Sequence, residues 1–183
     1  MPFPSRSRAV KWRDAIRCLE PPPAKRRSEG MKVRIIQFAA IILTALALVP
    51  GGAHVLELPN KIHLEQAQYV AVQQIYRGWA LLGSVLIAAL LANFLSAIVA
   101  RSQRMPMLFS AAATVLLGVT LAVFFTWTFP VNEVTNNWTE APDNWEALRA
   151  TWEYSHATNA ALTFFALCSA VASGSTWRGS KSQ

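Results

Sequence analysis

Two histidine and carboxylate pairs are the residues of this sequence best suited to chemistry. His54 and Glu57 lie three positions apart, and Glu153 and His156 repeat that spacing in reverse order. Residues three apart share one face of a helix, so each pair would present an imidazole beside a carboxylate. An imidazole that titrates near neutral pH beside a carboxylate suits proton abstraction. One hypothesis is therefore that His54 or His156 acts as a general base.

The same four side chains allow two other interpretations. His54, Glu57, Glu153 and His156 would together form a ligand set acceptable to iron, manganese or zinc. A di-metal site in a four-helix bundle also needs carboxylates from the other two helices, and the second and third apolar segments contain none. No other cofactor is predicted, because Walker, Rossmann and haem-attachment motifs are absent from the sequence. In the structural alternative, both histidines hydrogen-bond to carboxylates and hold the outer helix ends together.

An aromatic and basic stripe accompanies the second pair. Asp143 as N-cap and Glu146 at the capping-box position predict a helix that runs into the fourth apolar segment. At about 100° per residue, one face of this helix carries Trp145, Arg149, Trp152, His156, Asn159 and Thr163, with Glu153 at its border. The stripe either lines a pocket or forms an interfacial aromatic belt with a surface ion pair. The candidate substrate contacts are Trp138, Trp145, Trp152, Asn159 and Glu57.

Long uncharged segments must position these residues. The chain is 53% hydrophobic and 15% charged, and residues 35–56, 78–100, 105–132 and 157–177 lack Asp, Glu, Lys and Arg. A hydrocarbon core of about 30 Å needs about 20 helical residues. The sequence therefore predicts an all-α, up-down bundle of four transmembrane helices, with two outer loops carrying short amphipathic helices. The lipid bilayer is the expected partner, and the sequence is also compatible with the association of identical chains.

The basic residues predict the sidedness. The net charge is +7, but ten of the 17 Lys and Arg precede Ile35, which argues against a nucleic-acid surface. Together with those in the loop between the second and third segments and in the tail, 14 basic residues lie on one side, and Lys61, Arg77 and Arg149 lie on the other. The positive-inside rule then predicts that both termini lie on the cytoplasmic side of a bacterial inner membrane.

The chain divides into residues 1–30, a disordered basic leader; residues 31–176, the four-helix membrane domain; and residues 177–183, a cytoplasmic tail. Translation from Met31 would remove the leader. A competing interpretation treats the first apolar run, which ends in small residues, as a cleavable signal peptide. Within the spans, Gln37 and Asn93 are expected to form interhelical hydrogen bonds. Pro59 and Pro130 are expected to end the first and third helices.

The segments Ala53–Lys61, Pro130–Asn132 and Trp145–His156 resemble the anthrone oxygenase-like membrane family, a family of domains of unknown function. The resemblance covers roughly residues 33–172. It implies a four-span bundle and, for some relatives, oxidation of an anthrone-type polyketide to a quinone by molecular oxygen. It also implies that His156 or His54 is the base, that Trp145 and Trp152 stack on the ring system, and that Arg149 stabilises the oxyanion. A non-enzymatic membrane scaffold, in which the stripe docks a partner, is the alternative function.

Overall fold

The computed structural model describes residues 24–178, with side chains from Ser28 onward. Every regular element in this part of the chain is helical. The α-helices are α1 (Ala24–Lys61), α2 (Gln66–Gln73), α3 (Gly83–Val99), α4 (Arg104–Val123), α5 (Phe129–Val134) and α6 (Trp145–Thr176). Two 3-10 turns, Gln74–Tyr76 and Trp79–Leu82, precede α3, and a π-helical segment, Phe124–Thr128, joins α4 to α5.

Four of these helical stretches are long and apolar enough to cross a membrane. They comprise Ser28–Lys61, Trp79–Val99, Arg104–Val134 and Trp145–Thr176. Large apolar side chains such as Phe38, Leu91 and Val115 are exposed on the outside of the bundle, where hydrocarbon would solvate them. These features confirm the predicted all-α bundle of four transmembrane helices and identify a multi-pass membrane protein.

The four spans form a ring in chain order. Helix α1 packs against α3 and α6, and α4 packs against the same two helices. The central cluster consists mainly of small side chains, namely Ala89, Ala113, Leu117, Ala166 and Ala170. Small residues let helix backbones approach closely, which is how helices gain packing energy in lipid.

Buried polar side chains connect the spans across this core. Asn93 Nδ2 donates a hydrogen bond of 2.9 Å to Thr44 Oγ1, and Gln37 Nε2 donates one of 3.1 Å to Ser173 Oγ. Ser173 Oγ also lies 2.7 Å from Ser110 Oγ. Both predicted interhelical roles, for Asn93 and for Gln37, are therefore confirmed.

The two ends of the bundle differ. At one end, the backbone N–H of Arg178 donates to Gln103 Oε1 at 3.0 Å, so the end of α6 lies beside the loop between α3 and α4. The opposite end carries residues 62–78 and 135–144 and is called the long-loop end below. Every candidate site residue from the sequence belongs to the long-loop half of its helix or to these loops.

Several predicted helix boundaries were wrong. Helix α1 continues through Pro50 and Pro59 to Lys61, because each proline removes only one backbone hydrogen bond and the packing of α1 against α3 and α6 keeps the rest of the helix in place. Pro130 lies inside the continuous helical stretch Arg104–Val134, directly after the π-helical segment Phe124–Thr128, so it does not end the third span. Helix α6 starts at Trp145 after Asn144, and no side chain caps it. Helix α1 starts at Ala24, inside the segment expected to be a leader, and residues 1–23 lie outside the described residues.

Candidate functional site

The site is built around the ammonium group of Lys61, the last residue of α1. Because α1 continues past Pro59, Lys61 lies one turn after Glu57 and two turns after His54 on the same face. Its Nζ is 3.5 Å from His54 Nδ1 and 3.6 Å from Glu57 Oε2. The Lys61 side chain is only 3% exposed, so these neighbours replace the water that would otherwise solvate its charge.

Helix α6 supplies a second carboxylate to the same ammonium. Glu153 Oε1 lies 3.2 Å from Lys61 Nζ and accepts a hydrogen bond of 2.8 Å from the hydroxyl of Tyr69 on α2. Burial raises the pKa of Tyr69 well above its usual value, and the nearby charge of Glu153 adds to the effect. Tyr69 therefore stays protonated and continues to donate. Glu153 Oε2 has no hydrogen-bond partner within residues 28–178.

Tyr76, at the end of the first 3-10 turn, completes the network. Lys61 Nζ donates to the Tyr76 hydroxyl at 2.9 Å, and that hydroxyl donates to Glu57 Oε2. We refer to Lys61, His54, Glu57, Tyr69, Tyr76 and Glu153 as the Lys61 cluster. It joins α1, α2, the 3-10 turn and α6 through charge-assisted hydrogen bonds, which are stronger than neutral ones.

The two histidines meet beside this cluster. The ring centroids of His54 and His156 are 4.3 Å apart, and the ring planes are inclined by 37°. Trp152 packs edge-on against both, at 4.9 Å from His54 and 4.2 Å from His156. Tyr76 and Trp79 pack against His54 from the loop side, at 4.5 Å and 5.9 Å. Trp152, Tyr76 and Trp79 are called the aromatic cage below.

The ring nitrogens of His54 and His156 differ in their contacts. His54 Nδ1 faces the Lys61 ammonium. The His156 ring makes contacts with Trp152 and His54, and no residue in the part of the chain that the structure describes forms a hydrogen bond with it. An imidazole whose nitrogens are not engaged can accept a proton.

Arg149 lies farther along α6 and has a different set of partners. Its NH1 donates to the backbone oxygen of Leu64 at 2.7 Å, and its guanidinium carbon lies 4.5 Å from the Trp145 ring and 5.5 Å from the Tyr69 ring. The ion pair that the sequence placed between Arg149 and Glu153 does not form, because Glu153 turns toward Lys61. Arg149 thus fastens the loop after α1 to α6 and packs between the rings of Trp145 and Tyr69.

The remaining candidates surround the aromatic cage. Trp138 is buried, with its ring 4.8 Å from Tyr69 and 6.2 Å from Trp152. It ends a left-handed turn in which Asn136, Asn137 and Trp138 all have positive φ, and its backbone N–H donates to Thr135 Oγ1. Asn159, one turn beyond His156 on α6, is also buried, and its Oδ1 has no partner among the described side chains.

The predicted metal ligands do not form a metal site in this arrangement. Within residues 28–178, no group of three or more His, Cys, Asp or Glu side chains is placed to hold a metal ion. The donor atoms of His54, Glu57 and Glu153 are directed at the Lys61 ammonium, which is already a cation. The donor set therefore does not fit a metal ion.

Sequence reasoning missed half of the Lys61 cluster. Lys61 lies at helical spacing from His54 and Glu57, but neither it nor Tyr69 or Tyr76 is among the site residues predicted from the sequence, and Trp79 of the aromatic cage is not among them either. One signal was available, because Lys61 is the sole basic residue between Arg34 and Arg77. A lone lysine at the end of an apolar helix, one turn after a carboxylate, indicates a paired charge.

A cleft of about 490 Å³ lies on another face of α6. Its lining comprises Val123, Trp127, Ala150, Thr151, Tyr154, Ser155 and Thr158. These α6 residues alternate with Trp152, Glu153 and His156, so the cleft and the histidine pair occupy different sides of the helix.

Comparison of the chain with protein-family models, with curated proteins and with solved structures finds no match. The proposed function therefore rests on the arrangement of the Lys61 cluster and the histidine pair.

Proposed function

We propose that the protein is a membrane-bound oxygenase of the anthrone type, which removes a proton from an apolar polycyclic aromatic substrate and lets the resulting carbanion react with molecular oxygen. The observation that carries this proposal is the contact between His54 and His156, 4.3 Å apart and packed against Trp152. A base enclosed by aromatic rings at the membrane surface suits an acidic carbon in a flat, apolar molecule.

The reaction needs no cofactor to balance. The base takes a proton from the doubly benzylic methylene, and the electron pair left on carbon forms a bond to O₂. Loss of the second proton from that carbon, with cleavage of the O–O bond, leaves a carbonyl group and releases water. Carbon gives up four electrons and O₂ accepts four. The protein has to supply a base, a donor for the developing oxyanion and an apolar enclosure.

Two buried tryptophans, Trp152 and Trp138, support the proposed enclosure. Trp152 is 5% exposed and Trp138 is 2% exposed, and Trp152 Nε1 donates to Asn132 Oδ1 at 2.8 Å. Trp152 therefore presents its ring to the histidines at a fixed angle, and an aromatic substrate would have to enter the bundle to stack on it. Trp145 packs against Arg149, which also contacts Tyr69, so we assign it to the wall of the enclosure and not to the stacking surface.

Oxygen uptake by purified protein tests this function. With anthrone as substrate, we expect His156→Ala to lower the rate about 10²- to 10⁴-fold, the usual contribution of a general base. Ser84→Ala, an exposed position on another span, is the matched control and should leave the rate unchanged. Turnover by wild type that does not exceed the autoxidation of anthrone in detergent would refute the oxygenase.

The alternative, a scaffold that docks a partner through the Trp and Arg stripe, has less support. Trp152, Asn159 and Thr163 of the stripe are buried within the bundle, and Arg149 is bound to the loop after α1. A partner would find little of the stripe accessible. Co-purification of a stoichiometric protein partner after mild solubilisation would favour the scaffold.

The sidedness is also a proposal. We propose that the long-loop end faces outward from a bacterial inner membrane and that both termini are cytoplasmic, since basic residues concentrate at the other end. Single cysteines at Glu140 and at Arg101, both exposed, give a direct test in a background without Cys18 and Cys168. A membrane-impermeant maleimide should label intact cells at position 140 and not at position 101. The reverse pattern would invert the topology.

A further inference from the structure

We propose that Lys61 gives the two histidines different roles, making His54 a hydrogen-bond donor through Nε2 and leaving His156 as the base. The assignment of tautomer follows from the Lys61 cluster alone. The assignment of catalytic roles rests on the proposed oxygenase function.

The ammonium group of Lys61 has three protons to donate. The nearest acceptors of Lys61 Nζ are the Tyr76 hydroxyl at 2.9 Å, Glu153 Oε1 at 3.2 Å and His54 Nδ1 at 3.5 Å. The Tyr76 hydroxyl uses its own proton on Glu57, so its oxygen is free to accept from Lys61. Each of the three ammonium protons therefore has one acceptor.

An ammonium group can only donate, so His54 Nδ1 must carry a lone pair where it faces Lys61. A proton on Nδ1 would point one donor at another, and it would place a second positive charge 3.5 Å from Lys61 Nζ. The neutral ring then holds its single proton on Nε2. His54 thus offers an N–H, which suits a developing oxyanion and does not suit proton abstraction.

Two carboxylates surround the Lys61 ammonium, since Glu57 and Glu153 both lie within 3.6 Å of Nζ. The Lys61 and Glu153 side chains are both buried, so their contact with each other takes the place of contact with water. Lys61 is therefore a positioning residue that acts through His54.

His156 has no corresponding constraint. It lies 4.3 Å from the His54 ring, and its hydrogen-bonding capacity is not used by any of residues 28–178. In the proposed reaction the C–H bond breaks, the proton moves to His156, and the electron pair is delocalised onto the substrate oxygen. The His54 Nε2–H then stabilises that oxygen.

Nitrogen-15 NMR of histidine-labelled protein in detergent micelles tests the tautomer without any substrate. The chain has three histidines, and His63, which is exposed, serves as an internal reference. We expect His54 to show a proton bound to Nε2 and none on Nδ1. A proton on Nδ1, or on both nitrogens, would overturn the proposal.

A paired set of variants tests the dependence on Lys61. Because Lys61→Met alone leaves Glu153 buried without its partner, the double variant Lys61→Met with Glu153→Gln is the version designed to fold. In it, His54 should lose its single tautomer and show exchange between Nδ1–H and Nε2–H. Lys32→Met, at an exposed lysine near the other end of α1, should leave the His54 signals unchanged. A His54 tautomer that persists in the double variant would overturn the role of Lys61.

The catalytic roles are tested by glutamine, which keeps an N–H donor but cannot act as a base. With anthrone, His156→Gln should lower the rate about 10²- to 10⁴-fold, whereas His54→Gln should lower it about tenfold or less. The opposite order would reverse the assignment. Should wild type show no turnover at all, the proposed function fails, and the NMR result still decides the tautomer.

Discussion

Lys61 of α1 and Glu153 of α6 form an ion pair of 3.2 Å in which the two side chains are 3% and 0% exposed. Most ion pairs at a membrane surface are solvated and contribute little to stability. This pair is enclosed by Tyr69 and Tyr76, so its strength depends on how completely each partner is satisfied. It connects the first span to the last at the level of the histidine pair.

Removing only one partner of this pair should be strongly destabilising. We expect Lys61→Met to lower the free energy of unfolding by roughly 3–5 kcal/mol, because Glu153 would be left buried without a counter-charge. Adding Glu153→Gln should restore most of the loss, since the amide can still accept from Tyr69. Unfolding in mixed micelles as a function of denaturing detergent gives the free energies.

Lys32→Met is the matched control for that series and should change the free energy by less than about 0.5 kcal/mol, because Lys32 is exposed. A double variant that is less stable than Lys61→Met would contradict the pairing. It would show that each side chain is held by other partners.

Tyr69 should confer a defined dependence of stability on alkaline pH. Its pKa is raised in the folded protein by burial and by Glu153, so the folded state prefers the neutral phenol. The corresponding stability is fully present below about pH 10, the ordinary tyrosine pKa, and is lost as the pH rises above that value. Wild type should therefore become less stable above about pH 10, and Tyr69→Phe should lose less stability over the same range.

Tyrosinate absorbance gives a second measurement of the same effect. The chain has three tyrosines, and Tyr154, which is 59% exposed, is the matched control position. Tyr69 should ionise only when the fold opens, so the tyrosinate absorbance of wild type should rise in a step that coincides with unfolding. The variant Tyr69→Phe should lack that step. Tyr154→Phe should leave that step in place. Ionisation of Tyr69 in the folded protein would contradict its buried hydrogen bond to Glu153.

The four spans could be predicted because the signal is local. A stretch of about 20 residues without Asp, Glu, Lys or Arg must be helical in hydrocarbon, whatever its neighbours are. The roles of Asn93 and Gln37 were predictable for the same reason, since a polar side chain in a span has to find a partner on another helix. Helical periodicity predicted that Trp152, Asn159 and Thr163 share one face of α6, and the structure shows that all three are buried.

The Lys61 cluster could not be assembled from the sequence, because it depends on tertiary contacts. Gly51, Gly52 and Pro59 made a helical continuation to Lys61 uncertain, and packing of α1 against α6 decides the matter. Tyr69 and Tyr76 enter the site through the fold of the loop after α1, which has no periodic signal of its own. Helical spacing places Arg149 near Glu153, while the backbone oxygen of Leu64 is the partner that it reaches.

Asn93 should contribute to stability through its hydrogen bond to Thr44. We expect Asn93→Ala to lower the free energy of unfolding by about 1 kcal/mol, with an upper limit near 2 kcal/mol, as for other interhelical bonds in membranes. Ser84→Ala on the same helix is exposed and should have little effect. Thermal unfolding in detergent compares the two variants, and equal stability of both would mean that the bond to Thr44 contributes nothing.

Gly51 and Gly52 offer a comparison between neighbouring positions on α1 that bears on the histidine pair. A Cβ at Gly51 would lie 3.3 Å from both Cα and Cβ of Ala160, whereas a Cβ at Gly52 would meet nothing within 4 Å. Alanine is favoured over glycine in a helix by about 1 kcal/mol, so Gly52→Ala should stabilise the protein slightly. Gly51→Ala gains the same propensity but must push α1 away from α6, one turn from His54 and one turn from His156. We expect it to be less stable than Gly52→Ala by about 1–3 kcal/mol, the usual cost of overpacking.

The separation of the helices should also weaken the histidine contact, so the NMR signals of His54 and His156 should shift in Gly51→Ala and stay in place in Gly52→Ala. Identical behaviour of the two variants would show that the close approach of α1 and α6 does not position the site.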